Sequence, residues 1–316
     1  MVFTKLSHTL ARAVLHGRIN PEVELETSGL FFGGDMSIYV TSDAHGHLRA
    51  LDRALELAAP SSEDTIYVLG DMIDRGPDPL GVIDLVRSLP NVHVLMGNHE
   101  RLMLDALSAA CTQEDIDTWD INGGWATLSE LNSLPVDTRE EIIDWVEKLP
   151  LMDVVDAAAR SFILVHAGID SARAREFLLN SGIDVSHGAG AVAAGREMLL
   201  AMLADQNPDV LLWTRDDFWG QPTGLVGSDG SGPIVIAGHT PSLSLSNYAD
   251  VMDCSGFDED EQRGCIVRVG ASEATGDIPD RIDIDCSAAS GCDFGAVGVM
   301  RLDDGAHWYA PVLEGE

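Results

Sequence analysis

The sequence predicts a layered α/β fold, because strand-like and helical segments alternate along the chain. Three apolar runs rich in β-branched residues are each followed by a stretch with helical spacing. These strand and helix pairs lie at residues 37–42 and 48–59, 65–69 and 80–89, and 92–96 and 100–110. With 316 residues, of which 45% are apolar, the chain is long enough to bury a sizeable core.

The remaining elements extend this alternation in both directions. Residues 1–34 form a predicted N-terminal extension, in which Leu6, Leu10 and Val14 line one face of a helix. A helix-rich stretch is predicted at 115–148. Further strands are predicted at 161–165, 233–237, 281–285 and 296–302.

The charge of the chain restricts its partners. The formal net charge is −33, and Lys5 and Lys148 are the only lysines among 19 basic residues. Such a field repels polyanions, so we expect no nucleic-acid partner. A salt-rich environment and a GC-rich genome would each produce an acidic, lysine-poor chain, and both explanations stay open.

The chain is expected to be a cytoplasmic protein without a membrane partner. No apolar run approaches the roughly 20 residues needed to span a bilayer. Residues 1–20 lack the apolar core of a signal peptide. The five cysteines are an odd number without CxxC spacing, so free thiols are expected rather than a zinc site or a disulfide framework.

Five short polar motifs each follow the end of a predicted strand. Open α/β sheets place their ligand crevice at the C-terminal ends of the strands, so these motifs are expected to meet there. In chain order the motifs are Asp43-Ala44-His45-Gly46, Gly70-Asp71-Met72-Ile73-Asp74-Arg75-Gly76, Gly97-Asn98-His99-Glu100, His166-Ala167-Gly168 and Gly238-His239-Thr240.

The residue types in these motifs predict a metal site. Asp43 and His45 share one turn and can reach one cation, while the carboxylate of Asp71 can bridge two ions. The remaining ligands of the second ion are an amide oxygen and two imidazole rings, from Asn98, His166 and His239. Each residue alone also fits a structural role, such as a turn cap or a buried histidine. Ligands without thiolate suit manganese, iron or zinc more than a soft metal.

Taken together, the motifs resemble those of the PPP-type metallophosphoesterases, specifically the bacterial and phage serine/threonine phosphatases. The family pattern is DxHG, GDxxDRG, GNHE, HxG and GHTP, and the match runs from about residue 43 to 301. It includes the weaker landmarks Asn122-Gly123-Gly124-Trp125 and Leu212-Trp213-Thr214-Arg215. The resemblance implies a β-sandwich flanked by helices, with a dinuclear metal site at the C-terminal ends of the strands.

The resemblance also implies the domain organisation. Residues 35–316 would form a single calcineurin-like metallophosphoesterase domain, with insertions at about 170–210 and 247–280. The second insertion is rich in glycine and aspartate and has little periodicity, so it is expected to be a long surface excursion. Both insertions would shape the rim of the site and influence substrate preference.

Site roles are carried over from the family by the same match. Two divalent cations are implied, with manganese favoured and iron or zinc as alternatives. The first would be held by Asp43, His45 and Asp71, and the second by Asp71, Asn98, His166 and His239. Phosphate would be bound by Arg75 and Arg215 together with Asn98 and His99. His99, kept protonated by an ion pair with Asp74, would protonate the leaving group.

The expected activity is that of a phosphomonoesterase that uses a metal-bridging hydroxide. Its implied substrates are phosphoserine and phosphothreonine proteins or peptides, with phosphotyrosine as a further option. One alternative is a dinucleoside tetraphosphate hydrolase acting on a phosphorylated nucleotide, although the symmetrically cleaving type typically lacks the aspartate found here at Asp74. A third reading is a non-catalytic binding protein on the same scaffold, which should have lost ligands.

Other polar residues near the motifs receive local interpretations. His47 is expected to be an exposed loop histidine, and Glu100 to favour the start of a helix through the helix dipole. Asp283 and Asp285 are expected to face polar surroundings.

Overall fold

The structure is a computed structural model that describes residues 36–185, 191–254 and 262–316. The predicted N-terminal extension at 1–34 lies outside the described residues, as does part of the stretch 247–280. Within the described part of the chain, no helix is both long and apolar enough to cross a membrane.

Two sheets contain the described strands. The first has the order β11-β10-β1-β2-β3, and the second β4-β5-β6-β9-β8-β7. The strand bounds are β1 Ile38–Thr41, β2 Thr65–Val68, β3 Val92–Val94, β4 Met152–Ala157, β5 Arg160–Val165, β6 Ile234–Ala237, β7 Met252–Asp253, β8 Val267–Val269, β9 Arg281–Asp283, β10 Ala296–Arg301 and β11 His307–Pro311.

Helices cover the outer faces of both sheets. Their bounds are α1 Leu48–Ala58, α2 Pro79–Ser88, α3 Asn98–Leu107, α4 Gln113–Ile121, α5 Trp125–Ser133, α6 Val136–Glu147, α7 Ser171–Asn180, α8 Arg196–Ala204, α9 Pro208–Trp213, α10 Asp216–Trp219 and α11 Gly291–Phe294. Short 3₁₀ turns lie at Ser242–Asn247, Glu273–Thr275 and Ala288–Ser290.

The core has three layers of apolar contact, because neighbouring strand residues point to opposite faces of a sheet. In β1, Tyr39 packs with the helices on the outside of the first sheet, whereas Val40 packs between the two sheets. In β5, Ile163 packs toward the outer helices and Leu164 toward the first sheet. The result is a β-sandwich flanked by helices, which confirms the predicted fold class.

The sequence did not predict four of the strands. β4 and β11 are sheet edges, and each pairs with a neighbouring strand of a hairpin. β7 and β8 lie within the stretch predicted to be a surface excursion, where Val267 and Val269 are buried. That expectation was wrong for this part of the stretch, because β8 pairs with β9 and completes the second sheet.

The sheet topology brings the five motifs together. β1, β2 and β3 are parallel neighbours, and so are β5, β6 and β9. The C-terminal ends of parallel strands meet at one edge of a sheet. Main-chain hydrogen bonds join the turns, from Asp43 N to Gly70 O at 3.1 Å and from Gly238 N to His166 O at 2.7 Å.

Candidate metal centre

The turns that carry the motifs have an unusual backbone conformation. Six of their non-glycine residues have positive φ, a region that costs an L-residue roughly 1–2 kcal/mol. These residues, with φ between 44° and 70°, are Asp43, His45, Asp71, Asp74, Arg75 and His239. Gly76 supplies the space they need, because a Cβ at this position would lie 2.2 Å from the carbonyl oxygen of His45. Such conformations persist where the surrounding structure enforces them.

The carboxylate of Asp71 lies between two groups of histidines. Its Oδ2 is 3.6 Å from Nε2 of His45, and its Oδ1 is 3.5 Å from Nε2 of His166. Among the described residues, two sets of acidic, thiol and imidazole groups come close enough to hold an ion, and Asp71 belongs to both. The sets are His45 with Asp71 and His99, and Asp71 with His166 and His239.

The second set fits a cation because two hydrogen-bond acceptors, Nε2 of His166 and Oδ1 of Asn98, face each other beside it. Nδ1 of His166 donates to the carbonyl oxygen of Leu69 at 2.8 Å, and burial lowers the pKa of His166 to about 3. The ring is therefore neutral, and the lone pair of its Nε2 faces Oδ1 of Asn98 at 2.9 Å. Nδ1 of His239 approaches the same oxygen at 2.8 Å. Acceptors that converge in this way are stabilised by a cation among them.

The first set is oriented by hydrogen bonds around it. Nδ1 of His45 lies 3.1 Å from the carbonyl oxygen of Ile73, which leaves Nε2 toward Asp71. Asp43 belongs to neither set, although both of its oxygens accept from the main-chain N–H of His239 at 3.1 Å. Burial raises the pKa of Asp43, and the nearby carboxylate of Asp285 raises it further. A cation beside Asp43 would favour its ionised form.

His99 and Asp74 form a buried pair beside the metal ligands. Nδ1 of His99 is 2.8 Å from Oδ2 of Asp74, and both residues are at most 1% exposed. Two residues that the sequence analysis did not identify also bind this carboxylate. Nε1 of Trp119 donates to Oδ2 at 3.0 Å, and Oγ1 of Thr127 donates to Oδ1 at 2.5 Å.

The surroundings of His99 act on its protonation in opposite directions. Burial lowers the pKa of His99, and the neighbouring guanidinium of Arg75 adds to this lowering, while the hydrogen bond to Asp74 opposes it. Arg75 also donates to Nε2 of His99 at 2.9 Å, which requires a lone pair on that nitrogen. This geometry favours a neutral His99 with its proton on Nδ1, and the protonated His99 paired with Asp74 stays a prediction for the site with its ions and substrate bound.

Both predicted phosphate-binding arginines lie at the site. Arg75 is exposed, and its guanidinium contacts the free ring nitrogens of His45 at 3.3 Å and His99 at 2.9 Å. Arg215 is half-buried and donates to the carbonyl oxygen of His239 at 3.3 Å. Two guanidinium groups therefore lie next to the histidine and carboxylate side chains of the motifs.

A loop of residues 216–221, which contains the short helix α10, follows Arg215 and is held by a buried arginine. Arg281 is 3% exposed, and its Nη1 donates to three main-chain carbonyl groups of residues 218–221 at 2.5–2.9 Å. Its Nε donates to Asp280 Oδ1 at 2.9 Å. The indole of Trp219, in the same loop, donates to Thr240 Oγ1 at 3.0 Å and so ties the loop to the His239 motif.

Glu100 braces two of the motif turns, a role that its local interpretation missed. Its side chain is fully buried, and Oε2 accepts from the main-chain N–H groups of Asp71 and Gly97, both at 2.9 Å. Oε1 accepts from Met72 N at 2.8 Å. The spacing of Glu100 at the third helical residue after Gly97 was the only local signal.

Three other polar residues near the motifs are buried, and for His47 this makes the expectation of an exposed loop residue wrong. His47 is 5% exposed rather than a surface loop residue, and Asp283 and Asp285 are 0% and 3% exposed. Burial raises the pKa of Asp285 to about 6. All five cysteines are free thiols, as expected.

Part of the chain is similar in sequence to curated enzymes of one name. The chain is 31% identical over 136 residues to the symmetrical bis(5'-nucleosyl)-tetraphosphatase of Pectobacterium carotovorum, covering 42% of this chain and 44% of that protein. It is 32% identical over 136 residues to the enzyme of the same name from Erwinia tasmaniensis, covering 42% and 45%. The chain thus spans less than half the length of these curated relatives.

Solved structures align with most of the chain at low sequence identity. A protein serine/threonine phosphatase from Saccharomyces cerevisiae is 14% identical, with a TM-score of 0.45 over 89% of this chain and 82% of that one. A cold-active protein-tyrosine phosphatase from a Shewanella species is 17% identical, with a TM-score of 0.41 over 88% and 81%. Both scores lie below 0.5, so neither structure informs the function.

The match to a family model is more extensive. The model of the calcineurin-like phosphoesterases matches residues 36–262, which is more than half of the chain and contains all five motifs. The two overlapping sets of metal-binding side chains lie within this region. On this evidence, the chain belongs to the calcineurin-like phosphoesterase family.

Proposed function

We propose that the protein is a metal-dependent phosphomonoesterase of the bacterial and phage serine/threonine phosphatase type. Its proposed substrates are phosphoproteins and phosphopeptides, with phosphotyrosine as a further target. The observation that carries this proposal is the buried His99 and Asp74 pair, joined at 2.8 Å, next to Arg75 and the metal ligands. Such a pair is useful where a poor leaving group, such as the alkoxide of serine, needs a proton.

Two divalent ions are proposed at the motif residues, with ligands that differ from the two close sets by including Asp43 and Asn98 and leaving out His99. Asp43, His45 and Asp71 would hold the first, and Asp71, Asn98, His166 and His239 the second. We favour manganese, with iron or zinc as alternatives, because the ligands are carboxylate, amide and imidazole groups. When bound, such a pair of ions supplies an activated water near neutral pH and neutralises charge on phosphate oxygens.

Arg75 and Arg215 are proposed to bind the phosphate group. Planar guanidinium groups can each grip two phosphate oxygens, which a lysine ammonium cannot do with the same geometry. Arg75 contacts the ring nitrogens of His45 and His99 in this structure. A phosphate dianion is a stronger acceptor than a neutral imidazole, so substrate would draw Arg75 away from His99.

This exchange would prepare His99 for proton transfer. Once Arg75 binds phosphate, Nε2 of His99 is released from its donor and can carry a proton toward the leaving oxygen. Asp74 fixes the ring through Nδ1 and stabilises the positive charge that a second proton creates. A neutral His99 before substrate binds is therefore compatible with its proposed role once phosphate is bound.

A second candidate function is the hydrolysis of dinucleoside tetraphosphates. The names of the relatives that are 31% and 32% identical favour it. A nucleotide polyphosphate leaves as a much weaker base than an alkoxide, so it has less need of the His99 and Asp74 pair. A net charge of −33 would also repel a tetraphosphate more than a peptide with basic neighbours.

One experiment separates the two functions. Manganese-loaded protein would be assayed side by side on a phosphoserine peptide with basic flanking residues and on diadenosine tetraphosphate. We expect kcat/KM for the peptide to be higher by at least about tenfold, which is roughly 1.4 kcal/mol of transition-state binding. If the nucleotide is the better substrate at every salt concentration, the phosphatase proposal fails and the hydrolase takes its place.

A further inference from the structure

The helical hairpin formed by α4 and α5 binds Asp74 through two side chains. Trp119 lies in α4 and donates to Oδ2 of Asp74 at 3.0 Å. Thr127 lies in α5 and donates to Oδ1 at 2.5 Å, while its Oγ1 accepts from the main-chain N–H of Asp74 at 3.0 Å. We refer to Trp119, Thr127 and the turn at 122–124 as the Asp74 clamp. None of its contacts involves a proposed metal ligand.

The turn of the clamp requires glycine at two positions. Gly123 has φ of +98°, and a Cβ there would lie 2.9 Å from Cγ of Arg75. A Cβ on Gly124 would lie 2.5 Å from Nε1 of Trp119, the nitrogen that donates to Asp74. The carbonyl oxygen of Gly123 also accepts from Arg75 N at 3.1 Å. The turn therefore lies directly against both Arg75 and the indole that reaches Asp74.

These contacts leave the carboxylate of Asp74 little freedom. Oδ1 accepts from Thr127, and Oδ2 accepts from both Trp119 and His99. Asp74 and Thr127 are fully buried, and Trp119 and His99 are 3% and 1% exposed. Water cannot replace a lost partner at such a site without a rearrangement, so the rotation of the carboxylate depends on the clamp. The plane of the His99 ring depends in turn on that carboxylate.

We infer that Trp119 and Thr127 are positioning residues that orient the imidazole of His99 through Asp74, an inference whose kinetic consequence rests on the proposed phosphomonoesterase function. Loss of a clamp hydrogen bond lets the carboxylate turn and the ring follow it. Binding of the metal ions is unaffected, because their ligands are held by other contacts. The loss lowers kcat only for substrates whose leaving group needs a proton.

The kinetic test uses isosteric variants and two substrates. Thr127→Val removes the hydroxyl, Thr127→Ser keeps it, and Trp119→Phe removes the indole N–H. Matched controls are Thr138→Val, at an exposed position of α6, and Trp145→Phe, in the same helix. For a phosphoserine peptide, kcat should fall about 10–100-fold in Thr127→Val and Trp119→Phe, a smaller loss than the roughly 10²–10⁴-fold that general acid catalysis usually contributes. Thr127→Ser and both controls should resemble wild type.

The second substrate gives the chemical readout. For p-nitrophenyl phosphate, whose leaving group needs little protonation, kcat of Thr127→Val should stay within about threefold of wild type at equal metal content. Equal losses on the two substrates would overturn the inference. So would a Thr127→Ser variant as impaired as Thr127→Val.

A spectroscopic test decides the inference even if the enzyme is no phosphomonoesterase. Protein labelled with ¹⁵N-histidine should show the His99 Nδ1–H signal, assigned by its loss in His99→Gln. This signal should persist in Thr127→Ser and shift or broaden beyond detection in Thr127→Val. An unchanged signal in Thr127→Val would overturn the positioning role. A wild type without monoesterase activity would instead refute the proposed function alone.

Discussion

Glu100 offers the sharpest test of how the site is built. Its carboxylate accepts three main-chain hydrogen bonds, from Asp71, Met72 and Gly97, at 2.8–2.9 Å. Glu100→Gln keeps the volume but replaces one oxygen by an NH₂ group. If the amide oxygen faces Asp71 and Gly97, the NH₂ group opposes the N–H of Met72. If the amide is reversed, the N–H groups of Asp71 and Gly97 both lose their acceptor, instead of the N–H of Met72 alone.

The magnitude follows from these contacts. One buried main-chain donor left without an acceptor costs about 1–3 kcal/mol. The two bonds that survive lose their ionic character, which we take as about 1 kcal/mol each. Burial raises the pKa of Glu100, so the neutral amide recovers part of the desolvation cost of the charge. We therefore expect a loss of about 2–4 kcal/mol in the free energy of unfolding.

Thermal unfolding and metal binding provide the assays. At roughly 2–3 °C per kcal/mol for a domain of this size, the melting temperature should fall by about 4–12 °C. Metal affinity should fall as well, because the turn that holds Asp71 at a φ of 52° loses the hydrogen bond at Met72 N and keeps only a weaker one at Asp71 N. Glu147→Gln, at an exposed position of α6, is the matched control. A melting temperature within about 1 °C of wild type, with unchanged manganese affinity, would refute this reasoning.

Four further predictions concern other parts of the molecule. Asp71→Asn should abolish binding of both ions, and two retained ions by metal analysis would disprove the bridge. His99→Gln should keep its metal but lower kcat on phosphoserine peptides by about 10²–10⁴-fold, with a smaller loss on p-nitrophenyl phosphate. Equal losses would assign His99 another role. Arg281→Lys should weaken inhibition by inorganic phosphate about tenfold. A lysine ammonium cannot hold all three carbonyl groups of residues 218–221, so the loop after Arg215 loses its support. Unchanged inhibition by phosphate would contradict this. Raising KCl from low to molar concentration should raise the melting temperature, because salt screens repulsion within a chain of charge −33. A flat response would favour genome composition as the origin of the scarce lysines.

The motif residues that meet in the structure could be identified from the sequence because each motif is local. Asp43 and His45 share one turn, and the Asp71 and Asn98 motifs each follow a strand recognisable by its own composition. Parallel strands then bring the motifs to one edge, so their order along the chain was enough to predict that they meet. The helices after β1, β2 and β3 were predictable for the same reason, since their apolar spacing is a local property.

The two short strands at one end of the second sheet were harder to predict from the sequence. β7 has two residues and β8 has three, so neither shows a period that can be recognised. Their pairing with the rest of the sheet is a tertiary contact. Burial was misjudged at His47, since a polar residue in a turn suggests exposure and only the packed structure reveals the exception.

The supporting contacts of the site were decided by tertiary structure alone. Glu100 meets the N–H of Asp71 from 29 residues away, and Thr127 meets Asp74 from 53 residues away. A threonine in a helix, or a glutamate in its first turn, has an ordinary local explanation, so nothing in its neighbourhood along the chain indicates a distant partner. Hydrogen bonds between elements are formed only where packing excludes water and sets two side chains at the right distance. For this protein, the sequence determined which groups could bind metal, and the fold determined how they are held.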